Sequence, residues 1–119
     1  MGLVEKKNEI HQALQAACLD VDNLFDHEPD GLPPRISLTV SIIGDDVVTP
    51  DSWRIYLRVY LPGNLPAQPS QDRLAAVMDA TDDVIPEGFV PGNWSSAWNA
   101  DLGAHIAELV VSTPRTFED

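Results

Sequence analysis

Residues 53–61 read Trp-Arg-Ile-Tyr-Leu-Arg-Val-Tyr-Leu, and no other stretch says more about the fold. Apolar residues occupy every second position, which is the period of a β-strand and not of a helix. One face of the predicted strand therefore points to a core: Trp53, Ile55, Leu57, Val59 and Leu61. The other face consists of residue types that are enriched where proteins contact each other: Arg54, Tyr56, Arg58 and Tyr60.

The preceding segment predicts a second strand that pairs with the first. Between residues 35 and 43, four apolar side chains alternate with four polar ones: Ile36, Leu38, Val40 and Ile42 against Arg35, Ser37, Thr39 and Ser41. A polar connection, 44–51, joins this strand to the strand at 52–61. Two strands joined by about eight residues are typical of a hairpin with an extended tip.

The rest of the chain predicts two helices and two or three further strands. They are a helix at 3–18, a short strand at 20–26, a helix capped by Ser70 that ends near 80–82, a strand around 94–98 and a strand at 104–112. The last strand has apolar residues on both sides, so we expect it to be covered on both faces. The expected fold is one α+β domain over residues 1–119, a mainly antiparallel sheet with an extended hairpin, flanked by two helices.

The chain is strongly acidic, with 19 Asp and Glu against 7 Lys and Arg in 119 residues and a formal net charge of −12. This balance argues against direct binding of nucleic acid, which needs clustered cations to neutralise phosphates. It fits a basic partner, or a surface past which DNA slides without sticking. A single cysteine, Cys18, excludes an intrachain disulfide, and no stretch has the apolar length of a membrane span.

Neither a catalytic motif nor a cofactor motif is found. The sequence lacks a phosphate-binding G-x-x-x-x-G-K-[ST] and a G-x-S-x-G nucleophile turn. The acidic run that starts at Asp20 places Leu24 and Phe25 where a calcium loop needs an oxygen ligand and a glycine. The three histidines do not share metal-ligand spacing. We therefore expect no enzyme activity, no metal and no cofactor.

Three more residues are candidates for contact with a partner. Trp94 and Trp98 have polar neighbours, and each is either a core residue or an anchor for another protein. Glu108 lies between Ile106 and Val110 on one strand face, where a carboxylate needs water or a cation. It is interpreted as part of an exposed strand end or as one side of an intersubunit ion pair, with a catalytic acid as a distant third reading.

The order of these segments resembles the tail terminator (tail completion) proteins of long-tailed bacteriophages. The likeness runs from about Glu9 to Thr113. It rests on a helix and a short strand, the double proline in EPDGLPPRISLTV, the hairpin strand SWRIYLRVYL, the helix QDRLAAVMDATDDV and the last strand AHIAELVVST. These features define an architecture and contain no invariant catalytic residue.

The resemblance implies a structural virion protein that is located in the tail or neck and, during assembly, in the host cytoplasm. Such proteins form a hexameric ring that ends tail-tube polymerisation, docks the head connector or stopper protein, and lets DNA pass without specific binding. The expected partners are copies of the chain and the tail tube protein, with no membrane. On this reading the Arg/Tyr face contacts subunits or the tube, and the hairpin tip is a reaching arm or lumen element: Asp45, Asp46, Thr49 and Asp51.

Two alternatives stay open. Another phage neck protein, a head–tail stopper or adaptor, has a similar size and symmetry. An acidic inhibitor or immunity-type protein would instead mask a basic nuclease site by charge. Oligomeric state separates this last class from the ring proteins, because an inhibitor is expected to be a monomer or a small dimer.

Overall fold

The computed structural model describes residues 3–17, 21–27, 31, 35–41, 52–63 and 67–114. Their elements are α1 (Leu3–Ala17), β1 (Asn23–Phe25), β2 (Ser37–Ser41), β3 (Ser52–Pro62), α2 (Ala67–Val84), β4 (Val90–Pro91), β5 (Ser95–Asn99) and β6 (Ala104–Pro114). The strands form one sheet in the order β1-β2-β3-β6-β4, and β5 also pairs with β6. Only the β1–β2 pair is parallel among the described strands. The predicted α+β class is confirmed.

β3 is the centre of the sheet. It pairs with β6 along its whole length, from Ser52 opposite Pro114 to Pro62 opposite Ala104. On its other side, residues Tyr56 to Tyr60 pair with β2. The connection between β2 and β3, which contains the predicted extended tip, lies outside the described residues.

Both helices cover the same face of the sheet. In the core, four helix residues pack on alternate strand residues, on Ile36 just before β2 and on Phe89. The helix residues are Ile10, Leu14, Leu74 and Val77, and the strand residues are Leu38, Val40, Ile55, Leu57, Val59, Leu61, Ala107, Leu109 and Val111. Full burial of one large aliphatic side chain contributes about 1.5–3 kcal/mol. The predicted core face of β3 is confirmed for Ile55 to Leu61, while the side chain of Trp53 is outside what the structure describes.

The predicted limits of α2 were wrong at both ends. The helix begins at Ala67, so Ser70 is its fourth residue and not the residue before its start. Pro69 is tolerated there because the first amides of a helix have no partner within it. At the other end the helix continues to Val84, because Val84 and Ile85 pack on the core and outweigh the unfavourable acids at the C-terminus.

β6 is fully covered on one face only, which corrects the expectation of two covered faces. Ala107, Leu109 and Val111 are buried under the helices, whereas Ile106, Glu108 and Val110 are half-buried on the opposite face. The reason is the placement of α1 and α2 on the same side. An apolar residue on both sides of a strand therefore did not require two covering layers here.

β4 and β5 together form one interrupted edge strand on β6. Pro91 lies opposite Val111 and Ser95 opposite Glu108, so the edge advances four residues (95 − 91) while β6 advances three (111 − 108). One extra residue on one strand is a β-bulge. The bulge starts at Gly92, whose amide donates to the carbonyl of Val110 at 2.9 Å. A Cβ on Gly92 would lie 3.2 Å from that oxygen.

Leu57→Ala is expected to lower the free energy of unfolding by about 2–5 kcal/mol, because it leaves a cavity in the middle of the central strand. Urea unfolding followed by circular dichroism measures the change. Val90→Ala is the matched control, since Val90 is 64% exposed and its truncation should change stability by less than about 0.5 kcal/mol. Equal losses in the two variants would contradict the assignment of β3 to the core.

Candidate interaction surfaces

The face of the sheet opposite the helices has an ion pair at its centre. Arg58 on β3 lies directly opposite Glu108 on β6 and opposite Thr39 on β2. The Arg58 Nε donates to Glu108 Oε2 at 2.7 Å, with 27% and 29% of the two side chains exposed. A short charge-assisted bond across a direct strand pair holds both side chains in place.

The interpretation of Glu108 as part of an exposed strand end was wrong, while its role in a contact between subunits stays a prediction. Glu108 lies in the middle of β6 and pairs with Arg58 of its own chain. Sequence alone did not bring together two residues that are 50 positions apart. The carboxylate therefore has a cation without a second subunit.

The two tyrosines of this face are mostly covered within the chain. Tyr56 is 8% exposed and Tyr60 5% exposed, and they flank Arg58 on the same side of β3. Each lies opposite a serine of β2, Ser41 and Ser37 respectively, so large rings stand beside small residues. The alternation of β3 is as predicted, but these rings offer little area to a partner. Of the predicted Arg/Tyr contact surface, the arginines are the half-buried members: Arg54 and Arg58.

Thr39 has a buried hydroxyl group to which the described residues give no hydrogen-bond partner. Its side chain is fully buried, and Oγ1 has no hydrogen-bond partner within the described part of the chain. It lies between Phe25 on β1 and Arg58 on β3. A buried hydroxyl without a partner costs about 1–3 kcal/mol.

The two tryptophans have different environments, so they do not form one anchor pair. Trp94 is half-buried, packs on the edge of the core, and donates from Nε1 to Asp82 Oδ1 at 3.0 Å. It ties the end of α2 to the sheet. Trp98 is 52% exposed, and its ring meets His105 edge to face at 5.2 Å between centroids. Of these two side chains, Trp98 exposes the larger part to a partner.

Glycines hold Trp98 in position at the end of the sheet. The Gly63 amide donates to the Gly103 carbonyl at 2.9 Å. A Cβ on Gly63 would lie 2.7 Å from Cη2 of Trp98 and 2.8 Å from the Gly103 oxygen. Gly103 has φ = +68°, which a residue without a Cβ adopts readily, and its amide donates to the Asn99 carbonyl at 2.8 Å.

Sequence reasoning missed the surface to which Trp98 belongs. Residues 88–100 contain no charged residue, and the side chains from Ser95 to Trp98 are all exposed on the edge strand β5. The available signal was this uncharged run of thirteen residues in a chain of net charge −12. An exposed tryptophan in such a run is typical of a contact surface.

The acidic segment before β2 makes local contacts. Asp22 accepts from Arg73 at 3.3 Å, and Lys7 donates to the Asp26 carbonyl. His27 lies 2.9 Å from the Asp26 carboxylate, and this hydrogen bond holds the pKa of Asp26 below its usual range. Among the described residues, no group of three or more His, Cys, Asp or Glu side chains is arranged to hold a metal.

The hairpin-tip candidates Asp45, Asp46, Thr49 and Asp51 lie outside the described residues. None of the described helices is both long and apolar enough to span a membrane. Comparison with known protein families found no family model that matches the chain. A comparison with curated proteins found no significant match either.

Thr39→Val is expected to leave the fold intact and to raise the free energy of unfolding by about 1 kcal/mol, because it removes a buried hydroxyl without a partner. Chemical denaturation of both proteins measures the difference. Thr81→Val is the matched control: Thr81 is also buried, but its Oγ1 donates to the Val77 carbonyl at 2.7 Å. A loss at position 39 as large as that at position 81 would show that the Thr39 hydroxyl is bonded.

Gly63→Ala is expected to move the Trp98 ring and destabilise the chain by about 1–3 kcal/mol, because the Gly103 carbonyl is backbone and cannot turn away. Tryptophan fluorescence measures the change in the environment of the Trp98 ring. Urea unfolding measures the change in the free energy of unfolding. Gly31→Ala has no atom within 4 Å of the added Cβ and serves as the control. Unchanged fluorescence and stability in the Gly63 variant would contradict the close approach.

Proposed function

We propose that this chain is a structural virion protein of a long-tailed bacteriophage, a tail terminator. In this role, copies form a ring, of six subunits as the resemblance implies, that ends tail-tube polymerisation and joins the tail to the head connector. The element order carries the proposal: a helix, a short strand, an antiparallel strand pair, a second helix and a long last strand. That order, on which the resemblance rests, is the order of α1, β1, β2, β3, α2 and β6.

The charge of the chain supports a role beside DNA without binding it. Six copies at −12 give a formal total of −72 (6 × −12). An acidic bore repels phosphates, so that DNA slides through without sticking. The exposed side of α2 is acidic and can contribute to such a bore: Asp72, Asp79, Asp82 and Asp83.

A closed ring needs two different patches on each subunit, because its contacts are head to tail. The sheet face around Arg58 and Glu108 is one candidate. Its pair is about three-tenths exposed, so a neighbouring subunit or the tail tube can contact both charges. A stable interface of this kind buries on the order of 1,600 Å² in total.

The net charge of −12 also favours a second candidate, an acidic inhibitor that masks a basic nuclease site. Such a protein binds by long-range charge attraction, which weakens as salt rises. Contact between ring subunits that have the same negative charge should instead become stronger as salt rises, because salt screens their repulsion. A head–tail stopper or adaptor is a third candidate, and its position relative to the tail tube distinguishes it from a terminator.

The proposal is tested with purified tail tubes of the phage that encodes the chain. The expected result is binding at one end of the tube and a ring on the DNA axis in electron micrographs. Binding that stops further addition of tube protein supports a terminator. A single copy off the axis, a position separated from the tube by another ring, or hydrolysis of a small molecule by the pure protein would contradict it.

A charge-swap variant tests whether the sheet face around Arg58 and Glu108 contacts the tail tube or a neighbouring subunit. Arg58→Glu with Glu108→Arg keeps opposite charges at the two paired positions and reverses their polarity, and circular dichroism checks first that the variant is folded. Binding to the tube end is expected to be lost. The Thr39→Val variant is the control for a change on the same face that leaves its charges alone. Normal binding by a folded charge-swap variant would remove this face from the interface.

A further inference from the structure

Within β5 itself, downstream of Pro91 and of the bulge at Gly92, the edge of the sheet contains neither a charge nor a proline. Within the described residues, β5 pairs with β6 alone, and the side chains from Ser95 to Trp98 are exposed. Natural edge strands are blunted by charges, by proline or by very short length. β4 has Pro91, and β1 is three residues long with Asp22 and Asp26 beside it. β5 contains none of these.

The hydrogen-bond pattern shows which backbone groups of β5 point outwards. The Gly92 amide donates to Val110, so the even-numbered residues of β6 direct their backbone groups to the edge strand. Residues opposite them on β5 therefore bond to β6: Ser95, Ala97 and Asn99. Because the direction alternates along an antiparallel strand, the amides and carbonyls of Ser96 and Trp98 point away from the sheet.

This edge is complementary to itself. If a second copy approaches antiparallel with Ala97 on the two-fold axis, Ser96 of each copy lies opposite Trp98 of the other. The four outward groups of each copy then meet as hydrogen-bonded pairs. A small serine beside a large indole fits on one face, and the two alanine methyl groups fit at the axis. No side chain of β5 carries a charge.

We propose that β5 is the site of a symmetric dimer, in which two copies of this chain join their sheets edge to edge. The identity of the occupant follows from charge as well as from shape. Copies with a net charge of −12 repel each other, and contact is least costly where no acid faces another. The uncharged run 88–100 is such a place. A two-fold contact differs from the head-to-tail contact of a ring, so this dimer does not rest on the proposed function.

The register is tested by a cysteine at the axis. In a chain with Cys18→Ser, Ala97→Cys places two thiols on a non-hydrogen-bonded pair with Cα atoms about 4.5 Å apart, within the range of a disulfide. Ser95→Cys is the matched control on the same strand and face. Its two copies are separated by about 13 Å along the strands and cannot be bridged. Mild oxidation followed by non-reducing electrophoresis should give a disulfide dimer with Ala97→Cys and not with Ser95→Cys.

The contact itself is tested by sedimentation of the full chain. A dimer has twice the 13.0 kDa mass of the chain, and the dissociation constant should fall as salt rises from roughly 0.05 to 0.5 M, because screening weakens the repulsion between copies. Ala97→Glu puts two carboxylates at the axis and should give a monomer. Ala100→Glu adds the same charge outside β5, at an exposed position in the turn, and should remain a dimer.

The outcomes distinguish the dimer from the proposed ring. Wild-type protein that stays a monomer at all concentrations, with equal oxidation of the Ala97→Cys and Ser95→Cys variants, overturns it. Ala97→Glu protein that is folded by circular dichroism and still dimeric also overturns it. A hexamer that survives Ala97→Glu would support the proposed ring while excluding β5 as the contact. A monomeric Ala97→Glu protein that still caps tail tubes would support both proposals.

Discussion

β3 pairs with β6 along its whole length and with β2 on its other side. The register of this pairing decides which side chains lie on each face of the sheet. A strand has a side-chain period of two, so a slip of one residue would move Leu57 to the open face and Arg58 under the helices. Burying an unpaired guanidinium costs far more than the strand pairing returns. The alternation of β3 thus excludes the neighbouring registers and aligns the other strands.

The two faces of the sheet are stabilised by different interactions. Under the helices, aliphatic side chains fill the space between sheet and helices, and the stabilisation comes from apolar area removed from water. On the other face, Tyr56 and Tyr60 are covered although no described helix lies above them. They stand beside the small residues of β2, and the Arg58–Glu108 pair occupies the middle. Much of this face is therefore satisfied within one chain.

In the described part of the chain, further exposed surface lies at the margins of the sheet and on α2. The edge formed by β4 and β5 is uncharged and exposed, and Trp98 is held at its end by His105 and by the close approach of Gly63. Acidic residues line the outward side of α2. The described surface thus includes one uncharged sheet edge and one acidic helix side.

The sequence by itself determined the α+β class, the antiparallel pairing of the two central strands and the side of β3 that faces the core, because a period of two is a local property of nearby residues. It did not determine the partner of Glu108, the separate environments of Trp94 and Trp98, the coverage of the two tyrosines or the bulge at Gly92. Each of these depends on which residues distant in the chain become neighbours, as Arg58 and Glu108 do across β3 and β6. The limits of α2 were also decided by tertiary packing, since Val84 and Ile85 gain more from the core than the terminal acids lose. Only the folded sheet decides these features, because the free energy that selects them arises from contacts between separate elements.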